Sequence, residues 1–293
     1  MTVITRPRVL LASIMIISAA LAALYLEPLS RAIGIANPDA VAMHEARIEF
    51  ARAIEAPRSA DWHEELREQG LEPSVIDDPI PATRLEEMDE DCVGRGSYLL
   101  SHDQGARPIL MSAPHRGYDR YTGTLALQLV GEGGLAAGAW NSAPRKARKA
   151  CRNAADLARS PLNHFTAFAL AFSDSYPAGR IVQLHGFDRS VRQSQAGAEA
   201  DVILSNGTEN AGENLFDIAD CMSASFARRN VLVYPNDVRE LGALTNAQGQ
   251  ALREDGFGSF VHVELSLSLR RELVDDPEAR RAFLGCLSIG IAG

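Results

Sequence analysis

The sequence predicts an α/β domain with a mixed central sheet flanked by helices, preceded by an N-terminal helical arm. Three observations lead there. Apolar runs of strand length recur from about residue 108 onward, helix-prone stretches separate them, and no internal repeat or low-complexity tract breaks the alternation. Strands alternating with helices fold as packed layers, and ligands of such folds gather at the carboxyl ends of the strands.

The strands are expected over 108–113, 136–140, 180–187, 200–205, 230–235 and 259–265. Helices are expected around 123–131, 145–158, 163–173, 213–228 and 276–287. Residues 92–293 are therefore assigned to the α/β domain. Residues 37–91 are charged and helix-prone. Ile48, Phe50, Ala51 and Ile54 recur at helical spacing, and the prolines at 73, 79 and 81 in EPSVIDDPIPATR read as an extended linker. His44 and His63 lie on charged helical stretches and read as surface residues.

Residues 1–36 read as an export signal or a membrane anchor. Arg6 and Arg8 precede Val9 to Leu26, a run without charge that is long for a signal-peptide core and near the lower limit for spanning a bilayer. The chain is thus expected in the periplasm, or anchored to the membrane and facing the extracytoplasmic side. A net charge of -9 offers no broad cationic face, so no nucleic-acid partner is expected. The dense basic run from Pro144 to Arg152 reads as the solvated face of a helix. Cys92, Cys151, Cys221 and Cys286 form no C-x-x-C pair, which argues against a structural zinc knot. In an oxidising compartment they allow two disulfides in three pairings, and the export signal favours at least one. No G-x-G-x-x-G, Walker-type or G-x-S-x-G motif is present, which argues against a phosphate-cradling loop and a serine nucleophile.

Ionisable residues cluster at the ends of three strand runs. ILMSAPHRGYDRYTG delivers His115 with Asp119 four residues on, RIVQLHGFDR delivers His185, and SFVHVELSLSLR carries His262 and Glu264 on one face of a strand. Two histidines and a carboxylate are a recurring ligand set for catalytic zinc, and a further carboxylate beside them serves as general base. Glu264 is the hardest to read as structural, because an acid inside FVHVEL is costly to bury without compensation. His262 shares its face and could take the place of Asp119 as third ligand. Arg116, Arg145, Arg189 and Arg270 are candidates for gripping a substrate carboxylate, whose geometry a guanidinium fork matches. His164 opens a helix whose Phe165, Phe168 and Phe172 form an apolar stripe, so it reads first as a residue at the edge of the core.

The order APHRGYDRYTG, NHFTAFALAF, RIVQLHGFD and HVELSLSLR resembles zinc-dependent amidohydrolases related to N-formylglutamate amidohydrolase, a group whose broader fold is shared by poly-γ-glutamate hydrolases and zinc carboxypeptidases. The resemblance runs from about Gly96 to the C-terminus. It implies a phosphorylase/hydrolase-like mixed sheet and one Zn2+ held by His115, Asp119 and His185. It further implies Glu264 as the base acting on the attacking water, and His164 lining the substrate pocket. The spacing is H-x-x-x-D where carboxypeptidases have H-x-x-E, and Gln183-Leu184-His185-Gly186 stands where the formylglutamate enzymes usually have Asp-x-His-Ser. The expected function is zinc-dependent hydrolysis of an amide bond in a cell-envelope peptide, a poly-γ-glutamate-like polymer or an N-acyl amino acid. The alternative is a non-catalytic, membrane-tethered binding protein that keeps the fold.

Overall fold

A computed structural model describes residues 38–78, 80–88, 93–146 and 156–291. Residues Met43–Gly293 form one compact unit; of the other, Met1–Ala42, only the start of the first helix is described. The expected export segment, Cys92, Cys151 and most of the helix expected over 145–158 lie outside the described residues. Among the described residues no helix is long and apolar enough to cross a membrane.

The described residues begin with helices α1 (Pro38–Glu55) and α2 (His63–Glu68), then strands β1 (Leu71–Ile76), β2 (Ala82–Glu87), β3 (Ser97–Ser101) and β4 (Arg107–Ala113). Helices then alternate with strands: α3 (Thr122–Gly133), β5 (Leu135–Trp140), α4 (His164–Ser175), β6 (Arg180–Phe187), α5 (Gln195–Glu199), β7 (Val202–Ser205), α6 (Glu213–Ser225) and β8 (Val231–Val233). The last elements are α7 (Ala247–Glu254), β9 (Phe260–Ser266), α8 (Leu267–Asp275) and α9 (Pro277–Leu287). Among the described residues the strands form one nine-stranded sheet in the order β1-β2-β3-β5-β4-β6-β9-β7-β8. Its centre, β5-β4-β6-β9, is parallel; β1, β2 and β3 add antiparallel on one side, and β7 pairs antiparallel with β9 on the other. The fold class expected from the sequence is the one observed.

Period-two alternation decides which face each strand residue meets. Val182 and Leu184 of β6, with Val261, Val263 and Leu265 of β9, enter one apolar layer together with Leu125 and Leu129 of α3, Ile218 and Met222 of α6, Leu273 of α8 and Phe283 of α9. Ile181 and Phe260 enter the opposite layer, built with Phe50 of α1 and Phe168 and Phe172 of α4. On that second face each strand turns polar toward its carboxyl end: Gln183 and His185 follow Ile181, and His262 and Glu264 follow Phe260. A disulfide between Cys221 and Cys286 joins α6 to α9.

Residues 71–87 correct one expectation. The prolines read there as marks of a linker, yet β1 and β2 are a hairpin within the main sheet. Pro73 sits in β1, the edge strand, where a missing N–H on the outer side costs no ladder bond. Asn246 accepts a hydrogen bond from the Gly249 N–H and caps α7. The 145–158 stretch shows a single 3-10 turn, Leu157–Arg159, within its described part.

Candidate metal centre

Three adjacent parallel strands, β4, β6 and β9, end on one side of the sheet and deliver the ionisable cluster there. Past Pro114 the chain makes one helical turn, with the Tyr118 and Asp119 N–H groups both donating to the His115 carbonyl at 2.8 Å. That turn puts His115 and Asp119 side by side, 3% and 5% exposed. His185 leaves β6 beside them, paired in register with Glu264 of β9, while Gln183 pairs with His262.

Three side-chain atoms converge. His115 Nδ1 lies 3.2 Å from His185 Nδ1 and 3.6 Å from Asp119 Oδ2, and His185 Nδ1 lies 3.3 Å from Asp119 Oδ2. A tetrahedral ion with bonds of ~2.05 Å has ligand–ligand edges of ~3.4 Å, so this triangle has the dimensions of one face of such a site. The surroundings decide what the nitrogens present. His115 Nε2 donates to Asp156 Oδ1 at 2.8 Å, and Asp156 Oδ2 accepts from Arg145 Nε at 3.0 Å. His185 Nε2 donates to Gln183 Oε1 at 3.0 Å. With each neutral ring carrying its proton on Nε2, both Nδ1 atoms present lone pairs toward a carboxylate oxygen. Three acceptors without a donor among them call for a cation.

The orientation of Gln183 follows from backbone anchors. Gln248 donates through Nε2 to the Leu157 carbonyl at 2.7 Å, which leaves its oxygen to accept from Gln183 Nε2 at 3.2 Å. Asn246 uses its oxygen to accept from the Gly249 N–H, so its amide nitrogen donates to Gln183 Oε1. Both neighbours therefore require the Gln183 oxygen to be the acceptor that faces His185. Gln183 thus orients His185 without placing a charge behind it.

Burial pushes Asp119 up, but His185 and His115, when protonated on the Nδ1 atoms that face it, outweigh that and hold the carboxyl well below its usual range. That stabilisation requires positive charge in the cluster, from protons on the imidazoles or from a metal. Burial, assisted by the Asp119 charge, raises Glu264 to about 8. Burial and the neighbouring histidines hold His262 well below its usual value. His185, His262 and Glu264 also lie close enough together to form a second candidate donor group.

The cluster floors a cavity of about 1140 Å³. Eight arginines line it, among them Arg120, Arg159 and Arg271, which are exposed and make no side-chain hydrogen bond or ion pair among the described residues. Arg270 is buried at the cavity wall, and three of its N–H groups donate to the carbonyls of Ser266, Arg120 and Phe187. It lies across Gly186, where a Cβ would stand 2.2 Å from its Nη1. Glycine after His185 is thus the residue that admits Arg270, and its N–H donates to Asp119 Oδ2 at 3.1 Å.

The structure brings together His115, Asp119, His185, Glu264, Arg189 and Arg270 around this cavity. Arg189 is tied to the Ala200 carbonyl and Asp201 at 2.7 and 2.5 Å. Two expected substrate contacts stand elsewhere. Arg116 is exposed outside the cavity, its N–H bonded to Asn141 and its stem against Gly123. His164 meets the ring of Phe50 edge-on at 6.3 Å, and burial lowers it to about 4. It packs against the apolar layer through Phe50 and does not line the cavity. Asp156 was not anticipated. Gln183 stands two residues before His185 on the same face of β6, and that spacing is the sequence signal for its role.

Neither a protein-family model nor a curated protein matches this sequence. Solved structures do. A metallo-carboxypeptidase from Burkholderia cenocepacia matches 79% of this chain over 69% of its own at 11% identity, with a TM-score of 0.40. A bacteriophage poly-γ-glutamate hydrolase matches 67% over 87% at 10% identity and 0.38. Bovine thrombin-activatable fibrinolysis inhibitor, solved with a tick carboxypeptidase inhibitor, matches 78% over 94% at 10% identity and 0.39. Likenesses of this degree assign neither reaction nor substrate, which the side chains of the site have to supply.

Proposed function

We propose that this chain is a zinc-dependent hydrolase of an amide bond flanked by carboxylates, in a peptide, a poly-γ-glutamate-like polymer or an N-acyl amino acid. The observation that carries the reading is the triangle of His115 Nδ1, His185 Nδ1 and Asp119 Oδ2, three acceptors at 3.2 to 3.6 Å with the Glu264 carboxyl group near His185. Two nitrogens and one carboxylate oxygen are a ligand set of catalytic zinc, which supplies Lewis acidity and lowers the pKa of water. Asp156 and Gln183 fix the ring orientations, so the ligands are set before anything binds.

Glu264 Oε2 is sealed in the protein, so Oε1 is the oxygen that faces the cavity. Burial raises its proton affinity, and a cation at the triangle would favour its carboxylate form; as the carboxylate, Oε1 takes the proton of an attacking water and passes it to the leaving nitrogen as the C–N bond breaks. Arg270 has five N–H groups and three carbonyl partners, which leaves two for a substrate carboxylate beside the scissile bond. Arg120, Arg159 and Arg271 extend that preference outward and favour a substrate with more than one carboxylate. An exported or membrane-anchored location, read from residues 9–26, would present the site to cell-envelope or extracellular substrates.

Turnover tests this reading. Zinc-loaded protein is assayed against N-acyl-glutamates, γ-glutamyl peptides and poly-γ-glutamate beside Glu264→Gln. Hydrolysis of at least one, lost by about 10²-fold or more in Glu264→Gln with zinc retained, is expected. Zinc binding with no turnover of any carboxylate-bearing amide would favour the binding-protein alternative.

A further inference from the structure

His262 is a buried side chain that the proposed reaction leaves without a task. It stands on β9 two residues before Glu264, beside Gln183 of β6 and Ser205 of β7. Its ring packs against that of His185 with centroids 4.6 Å apart and planes tilted by 33°. The residue is 4% exposed, and neither ring nitrogen has a hydrogen-bond partner among the described residues. The two nitrogens differ. Nδ1 is sealed from solvent, whereas Nε2 lies on the cavity side, 3.8 Å from Glu264 Oε1.

A sealed N–H without an acceptor costs more than a sealed lone pair, because orphaned buried donors are the rarer and more expensive case. The proton of the neutral ring therefore belongs on Nε2. The cavity floor then offers one donor, His262 Nε2–H, next to one acceptor, Glu264 Oε1. A separation of 3.8 Å is too long for a hydrogen bond between them and leaves both available to a bound molecule. Glu264 is assigned to the water, which leaves the donor for the carbonyl oxygen of the same amide, where negative charge develops.

We propose that His262 is a catalytic residue whose Nε2–H donates to the carbonyl oxygen of the scissile amide. This rests on the hydrolase reading. The step moves no proton from His262: the bond strengthens as the oxygen gains charge and relaxes when the C–N bond breaks.

Acetohydroxamate, which carries a carbonyl and binds metal, is the probe. Its affinity for the zinc-loaded protein is measured by calorimetry in the wild type, His262→Ala and His262→Gln, with zinc content determined for each. The expected result is unchanged zinc content, a ten- to hundredfold weaker Kd in His262→Ala, and recovery of part of the loss in His262→Gln, whose amide N–H can donate. An unchanged Kd in His262→Ala overturns the proposal. Should His262→Ala not fold, nitrogen-15 spectra of the wild type decide: a ring protonated on Nε2 whose signal moves with acetohydroxamate supports the role, and one protonated on Nδ1 overturns it. A wild type that binds no zinc removes the hydrolase reading itself, and is told apart by the zinc content alone.

Discussion

Replacing Glu264 with glutamine keeps the shape of the side chain and removes its ionisation. In the metal-free protein, burial raises the Glu264 carboxyl from 4.5 to about 8. The fold therefore prefers the protonated acid. That preference is fully present below about pH 4.5 and is lost as pH rises through 8. From the two values, ionisation costs the fold about 1 kcal/mol at pH 5 and about 4 kcal/mol at pH 8. Urea unfolding of the chelator-treated wild type and Glu264→Gln, from pH 5 to 8, reads the difference directly. The variant should gain on the wild type by roughly 3 kcal/mol across that range. Adding zinc to both should shrink the gain, because a cation nearby favours the carboxylate. A difference that stays flat with pH would refute the reasoning, since it would mean that Arg192, Arg270 or water already compensates the charge.

Other perturbations test the frame around the site. Asp156→Ala and Gln183→Leu each remove the acceptor behind a ligand histidine, and zinc affinity measured by competition should fall about 10- to 100-fold with the fold retained. Gly186→Ala should displace Arg270, raising KM for a carboxylate-bearing amide about tenfold or more while zinc content stays the same. Replacing Cys221 and Cys286 together with serine opens a link between residues 65 apart, and should lower stability by about 4 kcal/mol in chemical unfolding.

The sequence shows most of the centre of the sheet because its strands are short apolar runs bounded by turns. Over 180–187 the expected and observed strands coincide, over 108–113 they differ by one residue at one end, and over 259–265 the observed strand is shifted by one residue at each end. His185, His262 and Glu264 were legible for the same reason: alternation puts His262 and Glu264 on one face, and an imidazole at a strand end is conspicuous after apolar residues. The hairpin of β1 and β2 was hidden by its prolines, which only an edge position tolerates, and edge position is a property of the assembled sheet. Asp156 gives no local signal; it reaches His115 across 41 positions. The partition of the arginines is likewise tertiary. Arg116 lies one residue from His115 and misses the cavity, whereas Arg270 reaches it from α8 because Gly186 leaves room.

The most direct test of the central claim is the metal content of the purified full-length chain after zinc is supplied at neutral pH and excess removed. It is measured by mass spectrometry beside His115→Ala, Asp119→Ala and His185→Ala, with circular dichroism confirming that each is folded. The triangle of two Nδ1 atoms and one carboxylate oxygen predicts about one zinc per chain in the wild type and loss of it in all three folded variants. A wild type without bound zinc, or folded variants that hold it as well as the wild type, would contradict the account.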